Sequence, residues 1–162
     1  MTLAPRHGTW VIAVCFLVAL FVTILPTPDW FRPFRPEWTA LVLIYWTLAL
    51  PQRVGVGTAW LAGLALDVLT GTLLGQHALG LAVIAYLTHN LHQRIRVFPV
   101  FQQAVTVLVL LALYQLLMLW FDGITGRPPR SWTYWLPSLT GMLLWPWVFA
   151  VLRDLRRHFR VA

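Results

Sequence analysis

The chain has 162 residues, of which 59% are hydrophobic and 10% are charged, and its mean hydropathy is +0.72. A soluble domain needs about a quarter of its residues charged to cover its surface, so this composition excludes a soluble globular protein. The net charge of +7 does not indicate nucleic-acid binding, because the arginines fall in loops between apolar runs. The runs lack the period-two alternation of barrel strands. We therefore predict an all-α integral membrane protein.

Six transmembrane helices are predicted, in one polytopic domain that covers residues 1–162. They are expected at residues 10–25, 37–50, 54–70, 76–91, 100–121 and 133–152. The first is interpreted as an uncleaved span, because no small-x-small cleavage site follows it. The second covers only about 21 Å of a hydrocarbon core of about 30 Å. It must be shielded by neighbours, thin the bilayer or begin inside the preceding proline-rich loop; without it, five spans remain. Pro146 predicts a kink in the sixth.

The arginines divide unequally between the two sides of this map. One side holds Arg6, Arg53, Arg94, Arg96, Arg153, Arg156, Arg157 and Arg160, and the other holds Arg32, Arg35, Arg127 and Arg130. Since cytoplasmic loops carry the excess of positive charge, both termini are predicted to be cytoplasmic.

A single carboxylate interrupts the apolar run AWLAGLALDVLTG at residues 59–71. A charged Asp costs about 2.5–3.5 kcal/mol at the membrane centre and less toward the interface. Asp67 is expected in the outer half of the membrane, where it still needs a partner or water. Small residues recur every four positions around it and predict a face for close helix approach. The face comprises Ala59, Gly63, Asp67, Gly71 and Gly75, and the candidate partners of Asp67 are Arg32, Arg35, His77, Thr70 and the amides that open the fourth helix. A structural cap of the turn at residues 70–75 is favoured over a functional cleft or a proton relay.

Other candidate chemistry is sparse. His89 and His92 stand at i, i+3, but two ligands are too few for a metal site, and interfacial histidines are the favoured interpretation. The sequence contains no phosphate loop, no Ser–His–acid arrangement and no paired catalytic carboxylates, so neither an enzyme nor a cofactor is predicted. The basic tail is expected to contact anionic lipid or a cytoplasmic partner through Arg153, Arg156, Arg157 and Arg160.

Three segments carry a family resemblance: FRPEW, YWTLALPQRVGVGTAWLAGLALDVLTGTLLGQHALGLAVIAYL and LLWPWVFAVLRDLRR. Over nearly the whole chain they resemble the rod shape-determining MreD family of proteobacteria. The resemblance implies a non-enzymatic inner-membrane subunit of the cell-wall elongation machinery, the elongasome, with MreC as direct partner. MreB filaments and RodA with its transpeptidase would belong to the same assembly. It also implies a fold similar to the substrate-binding subunits of ECF transporters. The pattern carried over is Gly63, Asp67, Gly71 and Gly75.

Two functions remain open from the sequence. The first is a scaffold that binds MreC through the third-helix face and the outer loops at residues 29–37 and 122–135, which carry Arg32, Arg35, Arg127 and Arg130. Membrane lipids are expected around it, and a homo-oligomer within the complex is left open. The alternative is a small-molecule or lipid-binding transport subunit, with Asp67 lining the site. Its other polar groups would be Gln76, His77, Gln115 and Thr140.

Overall fold

The computed structural model describes residues 9–25, 37–50, 54–71, 74–124, 126 and 135–158. These residues form six α-helices, each of which overlaps one predicted span. They are α1 Thr9–Ile24, α2 Trp38–Ala49, α3 Val56–Thr70, α4 Gln76–Arg96, α5 Val100–Ile124 and α6 Leu136–His158. The all-helical prediction is therefore confirmed over these residues. The predicted contacts at Arg32, Arg35, Arg127, Arg130 and Arg160 lie outside them.

The helices turn large apolar side chains outward. Leu17 of α1, Val68 of α3, Val109 of α5 and Leu143 of α6 are each more than half exposed. Lipid accommodates apolar side chains that face outward on several helices, whereas water does not. Within the described ranges, two helical segments are long and apolar enough to cross a membrane, Val100–Phe121 and Leu136–His158, and α1, α2 and α3 are apolar but shorter. That all six helices cross stays a prediction.

Helix α2 occupies the centre of the bundle, although it is the shortest of the described helices. Every residue from Thr39 to Leu48 is buried, because α1, α4, α5 and α6 all pack against it. Tyr45 packs edge-on against Trp46 and against Phe149 of α6, with ring centroids 5.2 and 5.8 Å apart. Of the three explanations for its short length, the structure thus provides shielding by neighbouring helices.

The carboxyl end of α2 is closed by a side chain from another helix. The last carbonyl groups of a helix have no partner within it and carry partial negative charge. Arg96, at the end of α4, donates from Nε to the carbonyl oxygen of Leu48 at 2.7 Å and from Nη2 to that of Ala49 at 3.0 Å. The guanidinium therefore fastens α4 to α2.

Polar side chains join α5 to α6 inside the bundle. Ser138 donates a hydrogen bond to Gln115, and Trp145 Nε1 donates to Gln103 Oε1 at 3.4 Å. Gln103 in turn donates to the carbonyl oxygen of Ile95 at 3.1 Å. Such bonds between apolar helices contribute about 0.6–2 kcal/mol each. They satisfy buried polar groups by pairing them with one another.

Helices α3 and α4 form a tight antiparallel hairpin. A Cβ built on Gly63 would lie 2.2 Å from the Cα of Ala78, so the two backbones approach as closely as glycine allows. Ala59, one turn earlier, is also buried. The predicted small-residue face lasts only while the helix continues, so it does not extend to Gly71 and Gly75. Helix α3 ends at Thr70 because Gly71 adopts the left-handed conformation at φ 71° and its N–H donates to the carbonyl oxygen of Asp67.

This packing predicts a strong effect of adding one methyl group to α3. Gly63→Ala should lower the free energy of unfolding by about 1–3 kcal/mol, because the backbone of Ala78 cannot move aside as a flexible side chain would. Thermal unfolding of the purified protein in detergent measures the loss. Gly57→Ala, in the same helix with no atom within 4 Å of the new Cβ, is the matched control and should be neutral or gain up to about 1 kcal/mol. Equal melting temperatures for the two variants would contradict the close approach.

Candidate functional site

Asp67 lies near the end of α3 and is 1% exposed. Its Oδ1 accepts hydrogen bonds from the backbone N–H of His77 at 2.9 Å and contacts the ring Nδ1 of His77 at 2.7 Å. Its Oδ2 accepts from the backbone N–H of Gly75 at 2.8 Å and, at the longer distance of 3.5 Å, from that of Ala78. Both carboxylate oxygens are therefore occupied by the first turn of α4.

The local sequence explains why this carboxylate is needed. The first amides of a helix lack partners within it, and a Ser, Thr, Asp or Asn at the N-cap usually accepts from them. The N-cap of α4 is Gly75, which has no side chain and adopts φ 99°. Asp67, eight residues earlier on the preceding helix, supplies the missing acceptor. Its negative charge also faces the positive end of the α4 dipole.

His77 extends this contact toward a third helix. Its ring lies 6.2 Å from the ring of Tyr114 on α5, and its side chain is 16% exposed beside the fully covered carboxylate of Asp67. Hydrogen bonds to an ionised carboxylate are shorter and stronger than neutral ones, and the 2.7 Å between Asp67 Oδ1 and His77 Nδ1 is a short distance of this kind. The Asp67 cluster, which comprises Asp67, Gly75, His77 and Ala78, thus links α3, α4 and α5.

The structure shows which of the predicted partners contact Asp67. It brings His77 and the α4 amides to the carboxylate, whereas the hydroxyl of Thr70 donates to the carbonyl oxygen of Leu66 in its own helix at 2.7 Å. Arg32 and Arg35 lie outside the described residues. Asp67 is the buried member among the acids whose side chains the structure describes, which are Glu37, Asp67 and Asp154. A relay of two facing carboxylates is therefore not formed within this part of the chain.

The other polar candidates for a ligand site already contact protein groups. Gln76 Nε2 lies 3.7 Å from the sulfur of Met118, and Thr140 donates to the carbonyl oxygen of Leu136 at 3.0 Å. Nδ1 of His92 contacts the carbonyl oxygen of His89, and the two rings are 5.5 Å apart. Among the described residues, no three His, Cys, Asp or Glu side chains group together as metal ligands.

Two cavities lie away from Asp67. One is an apolar groove of about 370 Å³, walled by α1 and α6 over α2 and lined by residues that include Val18, Trp38 and Trp147. The other, of about 420 Å³, lies where α2 and α4 end. Its lining residues are Tyr45, Leu48, Ala49, Arg96, Gln103, Phe149, Arg153 and Arg156. The sequence prediction grouped Arg153 and Arg156 with the tail and did not connect them with Arg96 or Gln103.

The Asp67 cluster predicts a graded series of stabilities. Asp67→Ala leaves the α4 amides buried without acceptors and should cost the most, whereas Asp67→Asn keeps one oxygen but turns an NH2 group toward a donor. We expect a loss of about 1–3 kcal/mol for Asp67→Asn and a larger one for Asp67→Ala. His77→Ala leaves the backbone bonds intact and should cost least. Thermal unfolding in detergent ranks the three, and a His77→Ala loss as large as that of Asp67→Ala would contradict the capping role.

Comparison with known proteins identifies a family for the chain. A family model described as rod shape-determining protein MreD matches residues 5–155. The chain is 33% identical over 146 residues to the rod shape-determining protein MreD of Haemophilus influenzae, and the alignment covers 90% of each chain. No solved structure matches the chain. By both the family model and this relative, the chain belongs to the family of the rod shape-determining protein MreD.

Proposed function

We propose that the protein is a non-enzymatic scaffold subunit of the elongasome in the bacterial inner membrane. It binds MreC directly and helps to maintain rod shape through control of peptidoglycan synthesis, with MreB and RodA and its transpeptidase in the same assembly. Family membership supports the rod-shape role and a bacterial membrane location. The residues of the bundle support a scaffold over the alternative functions.

The observation that favours a scaffold is that both carboxylate oxygens of Asp67 already accept hydrogen bonds within the protein. A transport subunit with Asp67 lining its site needs that carboxylate turned toward a ligand. Here both oxygens accept from the first turn of α4, and the side chain has no accessible surface. A ligand would have to displace backbone amides that have no other acceptor, which makes the site costly to open. A carboxylate used to hold two helices together fits a scaffold.

The contacts of α3 also limit which side of this helix MreC can reach. The Gly63 side of α3 is covered by α4, so a partner helix reaches α3 on its opposite side, where Leu61 and Val68 are 63% and 71% exposed. The groove over α2, which includes Val18, is a second apolar surface. The outer loops remain proposed contacts outside the described residues. We infer that the single span of MreC packs against one of the outward apolar faces.

We further propose six membrane crossings with both termini in the cytoplasm. The second cavity supports this map, since it joins the carboxyl ends of α2 and α4, the start of α5 and the last third of α6. Those four helix ends must share one side of the bilayer if the chain crosses at every helix. The same end carries Arg96, Arg153 and Arg156, as the positive-inside rule requires of a cytoplasmic side.

Reporter fusions test the crossing number. A cytoplasmic reporter such as green fluorescent protein should be active at both the amino and the carboxyl terminus, and alkaline phosphatase should be inactive at both. A phosphatase fusion in the loop between α5 and α6 serves as the control for an outer position and should be active. Termini on opposite faces would reduce the number of crossings to an odd value and contradict the map.

Site-specific photocrosslinking tests direct binding to MreC and also identifies the surface that contacts MreC. We expect the chain to co-purify with MreC from detergent, and a benzoylphenylalanine placed at Leu61, Val18 or Leu143 to crosslink to the MreC span at one of these faces. The same probe at Leu81, which is fully buried, is the matched control and should give no adduct. Failure to co-purify, together with no adduct at any exposed position, would overturn direct binding.

A further inference from the structure

Three arginines meet at the cavity where α2 and α4 end. We call it the arginine pocket, and define it by Arg96, Arg153 and Arg156 with Tyr45 and Gln103. Arg96 comes from α4, whereas Arg153 and Arg156 come from α6, one turn apart on the same face. The cavity volume of about 420 Å³ lies in the range of small-molecule sites.

The positive charge of this pocket has no matching negative charge in the described lining. None of its eight lining residues is an Asp or Glu, and neither Arg153 nor Arg156 forms an ion pair with a described residue. Nε of Arg153 is buried and has no hydrogen-bond acceptor among the described residues. A buried donor without an acceptor costs about 1–3 kcal/mol, and more when it is charged. A bound anion would supply that acceptor.

Two of the three guanidinium groups are also held in place. Arg96 is fixed by its two bonds to the α2 carbonyl groups, and the guanidinium of Arg153 lies over the ring of Phe149, 5.6 Å from the centroid. A site whose donors are fixed beforehand loses less side-chain entropy when it binds. The phenol of Tyr45 and the amide of Gln103 add neutral polar groups to the lining. Tyr45 is near enough to interact electrostatically with Arg153 and Arg156.

We propose that the arginine pocket binds a phosphate group. The planar fork of a guanidinium matches two phosphate oxygens at once, and arginines from two helices can hold one phosphate from two sides. On the proposed map the pocket opens at the cytoplasmic headgroup layer, so the phosphate belongs either to an anionic lipid or to a soluble phosphate compound. This site goes beyond the scaffold function and does not depend on MreC. It also separates Arg153 and Arg156 from Arg157, which is exposed and lines no part of the pocket.

Thermal unfolding of the full chain tests the pocket with two kinds of probe. In neutral detergent, inorganic phosphate is compared with chloride at the same ionic strength. In phosphatidylcholine nanodiscs, added phosphatidylglycerol is compared with added oleate, which is anionic but carries no phosphate. We expect inorganic phosphate or phosphatidylglycerol to raise the melting temperature above its comparison. A response in detergent assigns a soluble phosphate, and a response in nanodiscs alone assigns a lipid headgroup.

Charge-matched variants show whether the response comes from the pocket. Arg153→Gln and Arg156→Gln should each weaken the apparent affinity for the responding probe about fivefold, whereas Arg157→Gln, with the same loss of charge on the same helix, should leave it unchanged. Arg156→Gln should melt no lower than the parent without the probe, because removing one of three like charges relieves repulsion. Equal weakening by Arg157→Gln would overturn the pocket in favour of diffuse attraction. So would an equal response to oleate, or no response to either phosphate probe.

Discussion

The architecture depends on how the first amides of α4 are satisfied away from water. Gly75 allows the sharp entry into α4 but supplies no capping oxygen, so Asp67 must reach across from α3. That reach fixes the end of α3 beside the start of α4 and sets the spacing of the hairpin. Once the two helices are this close, Gly63 becomes obligatory opposite Ala78. The glycines and the carboxylate of this segment are thus parts of one arrangement, in which hydrogen bonding dictates the packing.

Helix α4 carries a second cap at its other end. Arg96 closes α2, whose twelve residues are too few to form a stable helix alone and depend on burial by their neighbours. The two caps run in opposite senses along the chain, since α3 caps the later helix α4 and α4 caps the earlier helix α2. Because α4 also packs against α5, it connects most of the bundle. The buried polar pairs between α5 and α6 satisfy further interior groups that lipid would not solvate.

The sequence allowed the helices to be predicted because apolar runs bounded by Pro, Gly and Arg depend on local information. It also placed His77 and the α4 amides among the partners of Asp67, since a short turn returns the chain to the same depth. The predicted third span and α3 both end at Thr70. The four-residue spacing of small residues runs on through Gly71 and Gly75, because a left-handed φ is not visible in that spacing. Arg96 lies 47 residues from Ala49, and 57 residues separate it from Arg153, so their contacts depend on packing that no local pattern records.

Counting arginines treats them as equivalent markers of the cytoplasmic side, but the bundle gives them different environments. Arg96 neutralises the end of a helix, Arg153 and Arg156 face a cavity without a described carboxylate, and Arg157 faces outward. Orientation in the membrane requires these arginines at the cytoplasmic end but not around one cavity, so the positive-inside rule alone does not account for their convergence. Nineteen residues of α4, about 28 Å, separate His77 from Arg96. The carboxylate therefore serves the fold at one end of α4, while the unmatched charge available for binding lies at the other.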